Sequence, residues 1–138
     1  MTRYFFMMTA ISVVFPSATL IAGYKAPASR ITVTNYANGD IVASGIMGDA
    51  RASSDNIRQL GCSISATMNS TSPEVMCFAS TYSGSVGLSA ACWTSNPFFI
   101  EQVKSINRYS RITFRADSQK KCTFLEVING SSFNPMVP

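Results

Sequence analysis

Four regularly spaced cysteines are the sequence feature that most constrains how this chain can fold. Cys62 and Cys77 are 15 residues apart, Cys77 and Cys92 are again 15 apart, and Cys92 and Cys122 are 30 apart. A zinc site built from thiolates needs ligand pairs only two to four residues apart, because one tight turn supplies both ligands. This spacing is missing here. We therefore predict two disulfides, which form and persist in an oxidising compartment.

Histidine is absent from all 138 residues. Its absence removes His-based catalytic triads, imidazole acid–base catalysis and histidine-liganded zinc sites. Only 13% of the residues are charged, about half of what is usual for a globular domain. Because the sequence also carries no cofactor motif, we predict that the protein holds neither a cofactor nor a metal ion.

The N-terminal segment predicts export. Residues 4–24 carry no charged side chain and follow Arg3, as in a secretory signal peptide. A small-x-small site that ends at Ala28 predicts a signal peptide, 1–28, followed by a single disulfide-stabilised domain, 29–138. The alternative is an uncleaved membrane anchor, since about 20 apolar residues span a bilayer. We expect a secreted or periplasmic protein that touches a membrane only if this segment stays attached.

Alternation of apolar and polar residues predicts a series of β-strands separated by turn residues. In the fifth of these strands, Ile112, Phe114 and Ala116 alternate with polar neighbours, which is typical of an antiparallel sheet covered on one side. The predicted strands are 41–46, 60–68, 75–81, 86–94, 110–116 and 122–128.

One helix is predicted between the fourth and fifth strands. Asn96 can cap its free amides and Pro97 suits its first position. Phe99, Val103 and Ile106 then form one apolar stripe, which we expect to pack on the apolar face of the sheet. The prediction is an α+β fold: an antiparallel sheet of five to six strands with one helix packed on one face, and two disulfides.

Hairpin geometry restricts the disulfide pairing. A turn at Gly84 places Cys77 opposite Cys92, and a turn in the preceding polar segment places Cys62 opposite Cys77. Because glycine favours a tight hairpin, we choose the turn at Gly84. The predicted pairs are Cys77 with Cys92 and Cys62 with Cys122.

The segment from Gly45 to Cys62 carries a pattern of its own, Gly-x-x-Gly-x-Ala-Arg-x-Ser-x-Asp followed by Gly-Cys. This pattern resembles that of a group of small exported bacterial proteins with four cysteines and uncharacterised function. The later cysteines, the Asn-Pro helix start and the last strand are also similar, so the resemblance covers most of the chain after residue 28. It implies neither an activity nor functional residues.

Four polar residues in this segment form a candidate cluster. Asp49, Arg51, Ser53 and Asp55 alternate, so they would project from one face of an extended segment. An arginine between two carboxylates could bind a polar ligand, and the carboxylates could bind a hard cation such as calcium. We favour a structural Arg–Asp hydrogen-bond cluster. On that interpretation, Arg51→Ala should destabilise the fold by about 1–3 kcal/mol.

The basic residues do not predict nucleic-acid binding. Removal of residues 1–28 lowers the net charge from +4 to about +2. The densest basic grouping is diluted by Glu101, Asp117 and Glu126, whereas nucleic acid needs a dense basic face. We therefore predict a solvated sheet face. The basic grouping consists of Lys104, Arg108, Arg111, Arg115, Lys120 and Lys121.

Two function classes fit these observations. The favoured class is an exported, disulfide-stabilised binding or interaction module for a protein or a small polar ligand, with no catalytic residues. The alternative is a small secreted hydrolase or toxin that uses a carboxylate pair or a Ser-Lys dyad. Carboxylates that converge in a concave pocket would favour the enzyme. The candidates are Asp49, Asp55, Glu74, Glu101, Asp117 and Glu126.

Overall fold

The computed structural model describes residues 31–68 and 70–130. Within these ranges, seven strands form two antiparallel sheets, and two short helices lie in the connections. The predicted signal peptide and its cleavage site lie outside the described residues. In chain order the elements are β1 (Thr32–Asn35), β2 (Ile41–Ile46), α1 (Met47–Arg51), β3 (Gln59–Ser65), β4 (Glu74–Ser83), β5 (Val86–Thr94), α2 (Pro97–Lys104), β6 (Ser110–Ala116) and β7 (Cys122–Asn129).

The strand order is β1-β2-β6-β7 in one sheet and β3-β4-β5 in the other. All six predicted strands are present, and β2, β5 and β6 have the predicted bounds. β1 and α1 were not predicted. The α+β class and the two disulfides are confirmed, but the prediction of a single sheet is wrong.

The apolar face of β6 is covered by the second sheet and not by the helix alone. Phe114 of β6 and Val75 of β4 belong to the same buried cluster. A methyl group at Gly45 of β2 would lie 3.0 Å from Leu60 Cδ2 of β3, which shows how closely the sheets approach. The eight residues of α2 span only about 12 Å. A helix of that length cannot cover a four-stranded sheet.

The start of α2 is as predicted. The Asn96 side chain accepts a hydrogen bond from the Phe98 N–H at 2.9 Å, and Pro97 occupies the first turn. Val103 is buried in the core, as the predicted stripe requires, and Ile100 is buried beside it. The helix therefore closes part of the core instead of forming a second layer.

The turn at Gly84 joins β4 to β5 with a positive φ of 64° at the glycine. It places Cys77 opposite Cys92, as predicted. Cys77 also lies opposite Cys62, because β4 is the central strand of its sheet. Three cysteines thus form one row across the three strands. Because Cys77 lies opposite both of the others, strand pairing does not determine which of them it bonds to.

The disulfides join Cys62 to Cys77 and Cys92 to Cys122, so the predicted pairing is wrong. The Cα atoms of the two pairs are 4.0 and 4.9 Å apart. The turn before β7 lies along the outer edge of β5, where the Trp93 N–H donates to one of its carbonyls at 2.9 Å. This contact brings Cys122 to Cys92. Cys62 lies two strand spacings from Cys92, roughly 10 Å, so a bridge from Cys62 to Cys122 would have to span the sheet.

Candidate functional site

The predicted polar cluster does not form on an extended segment. Asp49 and Arg51 lie in α1, two residues apart, so their side chains point roughly 200° apart around the helix axis. Ser53 and Asp55 follow in the loop between α1 and β3. The structure therefore separates Arg51 from Ser53 and Asp55 and brings only the last two together.

Asp55 organises the loop that leads into β3. Its Oδ2 accepts a hydrogen bond from the Ser53 hydroxyl at 2.8 Å and lies 3.2 Å from Arg58 Nε. Its Oδ1 accepts the backbone N–H groups of Arg58 at 2.7 Å and Ile57 at 3.1 Å. The ionic partner of Asp55 is therefore Arg58, which sequence reasoning missed. The signal that was available is the spacing of three residues between the two charges.

These contacts favour the charged form of Asp55. The N–H of Arg58 contributes most and the Ser53 hydroxyl second, and together they hold the pKa of the Asp55 carboxyl below its ordinary value. Partial burial acts in the opposite direction, while the Ile57 N–H and the Arg58 charge add to the lowering. The carboxylate is thus a structural acceptor whose bonding capacity is used within its own loop.

Arg51, by contrast, is exposed. Within the described residues its side chain makes no ion pair and no hydrogen bond. The expectation of an arginine held between two carboxylates is therefore wrong, because Asp55 turns to Arg58 and α1 carries Arg51 to the surface.

Two open grooves meet at Arg51. The first, of about 310 Å³, lies between α1 and the three-stranded sheet, and Arg58 and Phe78 also line it. The second, of about 270 Å³, lies between α1 and the segment that follows α2, where Asn107 and Arg108 contribute. Neither groove is lined by a carboxylate. We refer to Arg51 and these two grooves as the Arg51 site.

The other two arginines of the Arg51 site are already held. Arg58 is paired with Asp55. The Arg108 guanidinium lies 4.5 Å from the centre of the Tyr109 ring and hydrogen-bonds to its hydroxyl. Arg108 therefore adds positive charge at a fixed position, the charge of Arg58 is largely compensated by Asp55, and Arg51 keeps its donors available. Sequence reasoning placed Arg108 in a dispersed basic grouping and did not connect it with Arg51.

A third groove, of about 420 Å³, crosses the outer side of the three-stranded sheet. Phe78 and Gln59 line both this groove and the first one, so the two are adjacent. Gln59, Ser80 and Ser89 oppose one another across the three strands and supply a polar floor. Lys120 closes its far end, with its ammonium 5.9 Å from the centre of the Trp93 ring.

The six carboxylates considered for an enzyme lie outside all three grooves. Glu101 is paired with Lys104 at 2.7 Å on α2. Asp117 accepts the N–H of Lys121 at 2.8 Å within the turn between β6 and β7. Over residues 31–68 and 70–130, no group of three or more Asp, Glu or Cys side chains is arranged to hold a metal ion.

The remaining arginines of the basic grouping lie on the polar face of the four-stranded sheet. Arg111 reaches Ser44 on the neighbouring strand at 3.4 Å, and Ser44 shares a hydrogen bond of 2.9 Å with Thr113. Arg115 is exposed beside them, opposite Phe124 of β7. These arginines belong to a different surface from the Arg51 site.

No family model, no curated protein and no solved structure matches this chain. Its class is defined by its fold: a small β-rich domain stabilised by two disulfides, which indicate an oxidising, extracytoplasmic compartment. Among the described residues, neither helix has the length and apolar character to cross a bilayer. The resemblance to small exported proteins with four cysteines stays a prediction.

Proposed function

We propose that this protein is an exported binding module that takes a ligand bearing a carboxylate or phosphate group at the Arg51 site. One observation carries the proposal. Arg51 is an exposed arginine without an ionic partner among the described residues, and it stands where two concave surfaces meet.

The chemistry of the site favours an anion. A guanidinium presents its donors in a planar fork that matches the two oxygens of a carboxylate or phosphate. Arg108 adds positive potential at the second groove, whereas the charge of Arg58 at the first groove is largely compensated by Asp55. Phe78 and Met47 provide apolar walls, against which the non-polar part of a ligand can pack. Groove volumes of about 270 and 310 Å³ suit a small ligand or one side chain of a larger one.

A binding role is favoured over hydrolysis by the position of the ionisable groups. A hydrolase would need a carboxylate or a lysine base beside the bound ligand. The carboxylates lie elsewhere, Lys104 is occupied by Glu101, and Lys120 lines the third groove and not the two grooves at Arg51. The Arg51 site offers cations and apolar surface, which hold a ligand but cannot take a proton from water.

Export completes the proposal. Residues 1–28 direct the chain out of the cytoplasm and are removed after Ala28, and the two disulfides form once it has left. Mass spectrometry of the exported protein should find residue 29 at its N-terminus. A full-length product held in the membrane would contradict removal of this segment.

The test compares the unsubstituted protein with Arg51→Ala in NMR titrations with inorganic phosphate and with citrate. Shifts should concentrate on groove residues such as Phe78 and Asn107. Arg51→Ala should weaken binding about tenfold, equivalent to roughly 1.4 kcal/mol, because one charge-assisted contact is lost. The melting temperature should not change, since the Arg51 side chain makes no ion pair or hydrogen bond within the described residues.

Arg115→Ala is the matched control, because it removes an exposed arginine that lines neither groove, with the same change in net charge. It should leave the titration unaltered. Equal weakening by both variants would show that binding follows net charge alone. A loss of about 1–3 kcal/mol of unfolding free energy in Arg51→Ala would show that Arg51 has the structural role predicted from the sequence and would contradict the proposal.

A further inference from the structure

Cys62, Cys77 and Cys92 lie in one row across the three-stranded sheet. Cys77, on the central strand, is directly opposite Cys62 on one side and Cys92 on the other. Directly opposed residues of antiparallel strands share a face and have Cα atoms about 4.5–5.5 Å apart. That separation lies within the range that a disulfide can bridge. Cys77 can therefore pair with either neighbour without a change of register.

The two bridges differ in how a solvent thiol can reach them. Cys77 and Cys92 are fully buried, and Cys122 is 8% exposed. Cys62, near the free edge of the sheet, is half-buried. Cys62 is thus the most exposed of the four cysteines, and the bridge between Cys62 and Cys77 is the one that an incoming thiolate is expected to reach first.

We propose that the cysteine row is a thiol–disulfide relay, which passes reduction of the Cys62–Cys77 bridge on to the Cys92–Cys122 bridge. A dithiol reductant attacks Cys62 Sγ, forms a mixed disulfide there and releases the Cys77 thiolate. The second thiol of the reductant then displaces Cys62 as a free thiol and leaves as an intramolecular disulfide. These two steps reduce one bridge and oxidise one dithiol.

The relay step follows within the sheet. The Cys77 thiolate attacks Cys92 Sγ, a Cys77–Cys92 disulfide forms, and the Cys92–Cys122 bond breaks with Cys122 leaving as a thiolate. No net oxidation or reduction occurs in this step. Its product carries one disulfide inside the three-stranded sheet and none between the sheets. Reduction at the exposed edge thus unlinks β5 from β7, and reoxidation reverses the sequence.

Geometry excludes the competing exchange. Cys62 lies two strand spacings from Cys92, roughly 10 Å, so its thiolate cannot reach that sulfur without backbone movement. The relay therefore requires a free thiolate at Cys77, the only one of these positions that lies next to both Cys62 and Cys92. A matched pair of variants follows: Cys62→Ser leaves Cys77 as the free thiol, and Cys77→Ser leaves Cys62.

The test uses both full-length variants after oxidative purification. Each is quenched in acid, alkylated in denaturant and digested, and the labelled and linked peptides are identified by mass spectrometry. Cys62→Ser should show Cys77 linked to Cys92, with alkylation of Cys122 about tenfold higher than in Cys77→Ser. Cys77→Ser should keep Cys92 linked to Cys122 and carry its label on Cys62. This variant also has one free thiol, so it controls for disulfide exchange that occurs only after denaturation.

Label confined to Cys77 in the Cys62→Ser variant would overturn the relay. Limited reduction of the unsubstituted chain with dithiothreitol gives a second measurement that does not depend on the folding of a variant. Its one-disulfide intermediate should contain the Cys77–Cys92 bridge, with Cys62 and Cys122 alkylated. An intermediate that retains only native bridges would refute the relay equally well. Neither outcome depends on ligand binding at the Arg51 site.

Discussion

The Asp55 carboxylate accepts hydrogen bonds from the Ser53 hydroxyl and from the N–H groups of Ile57 and Arg58, and it also pairs with the Arg58 side chain. The ion pair requires the charged form, and each hydrogen bond is stronger to it. Because the pKa of Asp55 is lowered in the folded state, its contribution to stability is complete above the unfolded pKa of about 3.9. That contribution is lost as the pH falls below this value through the folded-state pKa.

Asp55→Asn should therefore lower the unfolding free energy at pH 7 and flatten its decline in acid. The amide removes the charge and offers only one acceptor oxygen for the contacts that two oxygens now share. Urea unfolding at a series of pH values between 7 and 2 measures both effects. Glu126→Gln, an exposed position on β7, is the control and should keep the unsubstituted profile. A variant as stable as the parent at pH 7 would show that the loop does not need this charge.

The residue-scale prediction from sequence was partly correct. Ser53 and Asp55 do meet, because an aspartate readily accepts hydrogen bonds from nearby residues of its own loop. Arg51 was misplaced because alternation carries spatial meaning only in an extended segment. A helix of five residues at Met47–Arg51 removes that alternation.

At the scale of elements, two hairpins at the same end of the four-stranded sheet use one turn geometry. In the turn between β6 and β7, the N–H of Lys120 donates to the Asp117 carbonyl, and the N–H of Asp117 donates to the Lys121 carbonyl. The turn between β1 and β2 repeats this pattern with Gly39 in the place of Lys120. Both residues have positive φ, 88° at Gly39 and 61° at Lys120. A lysine thus occupies a position that glycine takes without strain.

Lys120→Gly should raise the unfolding free energy by about 0.5–1 kcal/mol, because it relieves a left-handed conformation at a side chain that makes only a distant contact with Trp93. Chemical denaturation measures the change. Gln119→Gly, one residue earlier and outside the positive-φ region, is the control. It should be neutral or destabilising, since glycine there only adds freedom to the unfolded chain. Destabilisation by Lys120→Gly would mean that the lysine side chain stabilises the hairpin by more than its backbone costs.

The predictable elements are those long enough to show a period. β6 alternates over its whole length and β5 over its central residues, and the bounds of both follow from the sequence. β1 has four residues and α1 has five, too few for a pattern to stand out. The alternation of Ile31 and Val33 with two threonines is the signal that would have found β1.

For the whole molecule, the sequence predicted one sheet where there are two, and it predicted the wrong disulfide pairs. Both errors have the same cause. Alternation shows which face of a strand is buried but not what covers it. Cys77 faces two possible partners in its own sheet, and the choice depends on Cys122, which reaches Cys92 only because β7 belongs to the other sheet. Pairing therefore requires the packing of the two sheets, and no local pattern carries that information.

The two bridges should contribute unequally to stability. The Cys92–Cys122 bridge joins residues 30 positions apart and links the two sheets, whereas the Cys62–Cys77 bridge joins residues 15 positions apart within one sheet. Chain entropy predicts about 2–4 kcal/mol for each bridge, with roughly 0.6 kcal/mol more for the longer loop. The link between the sheets adds to this difference, because its loss leaves the sheets joined by side-chain packing and by the hydrogen bond from the Trp93 N–H to the Lys120 carbonyl.

Paired substitutions measure the difference without leaving a free thiol. Cys92→Ala with Cys122→Ala should lower the unfolding free energy more than Cys62→Ala with Cys77→Ala, as determined by guanidinium denaturation under oxidising conditions. Each double variant removes two sulfur atoms and serves as the control for the other. Cys92 and Cys122 are both buried, whereas Cys62 is half-buried, so lost packing also costs more at the bridge between the sheets and widens the difference. A larger loss for the Cys62 and Cys77 pair would show that the bridge within the sheet, and not the bridge between sheets, holds this small domain together.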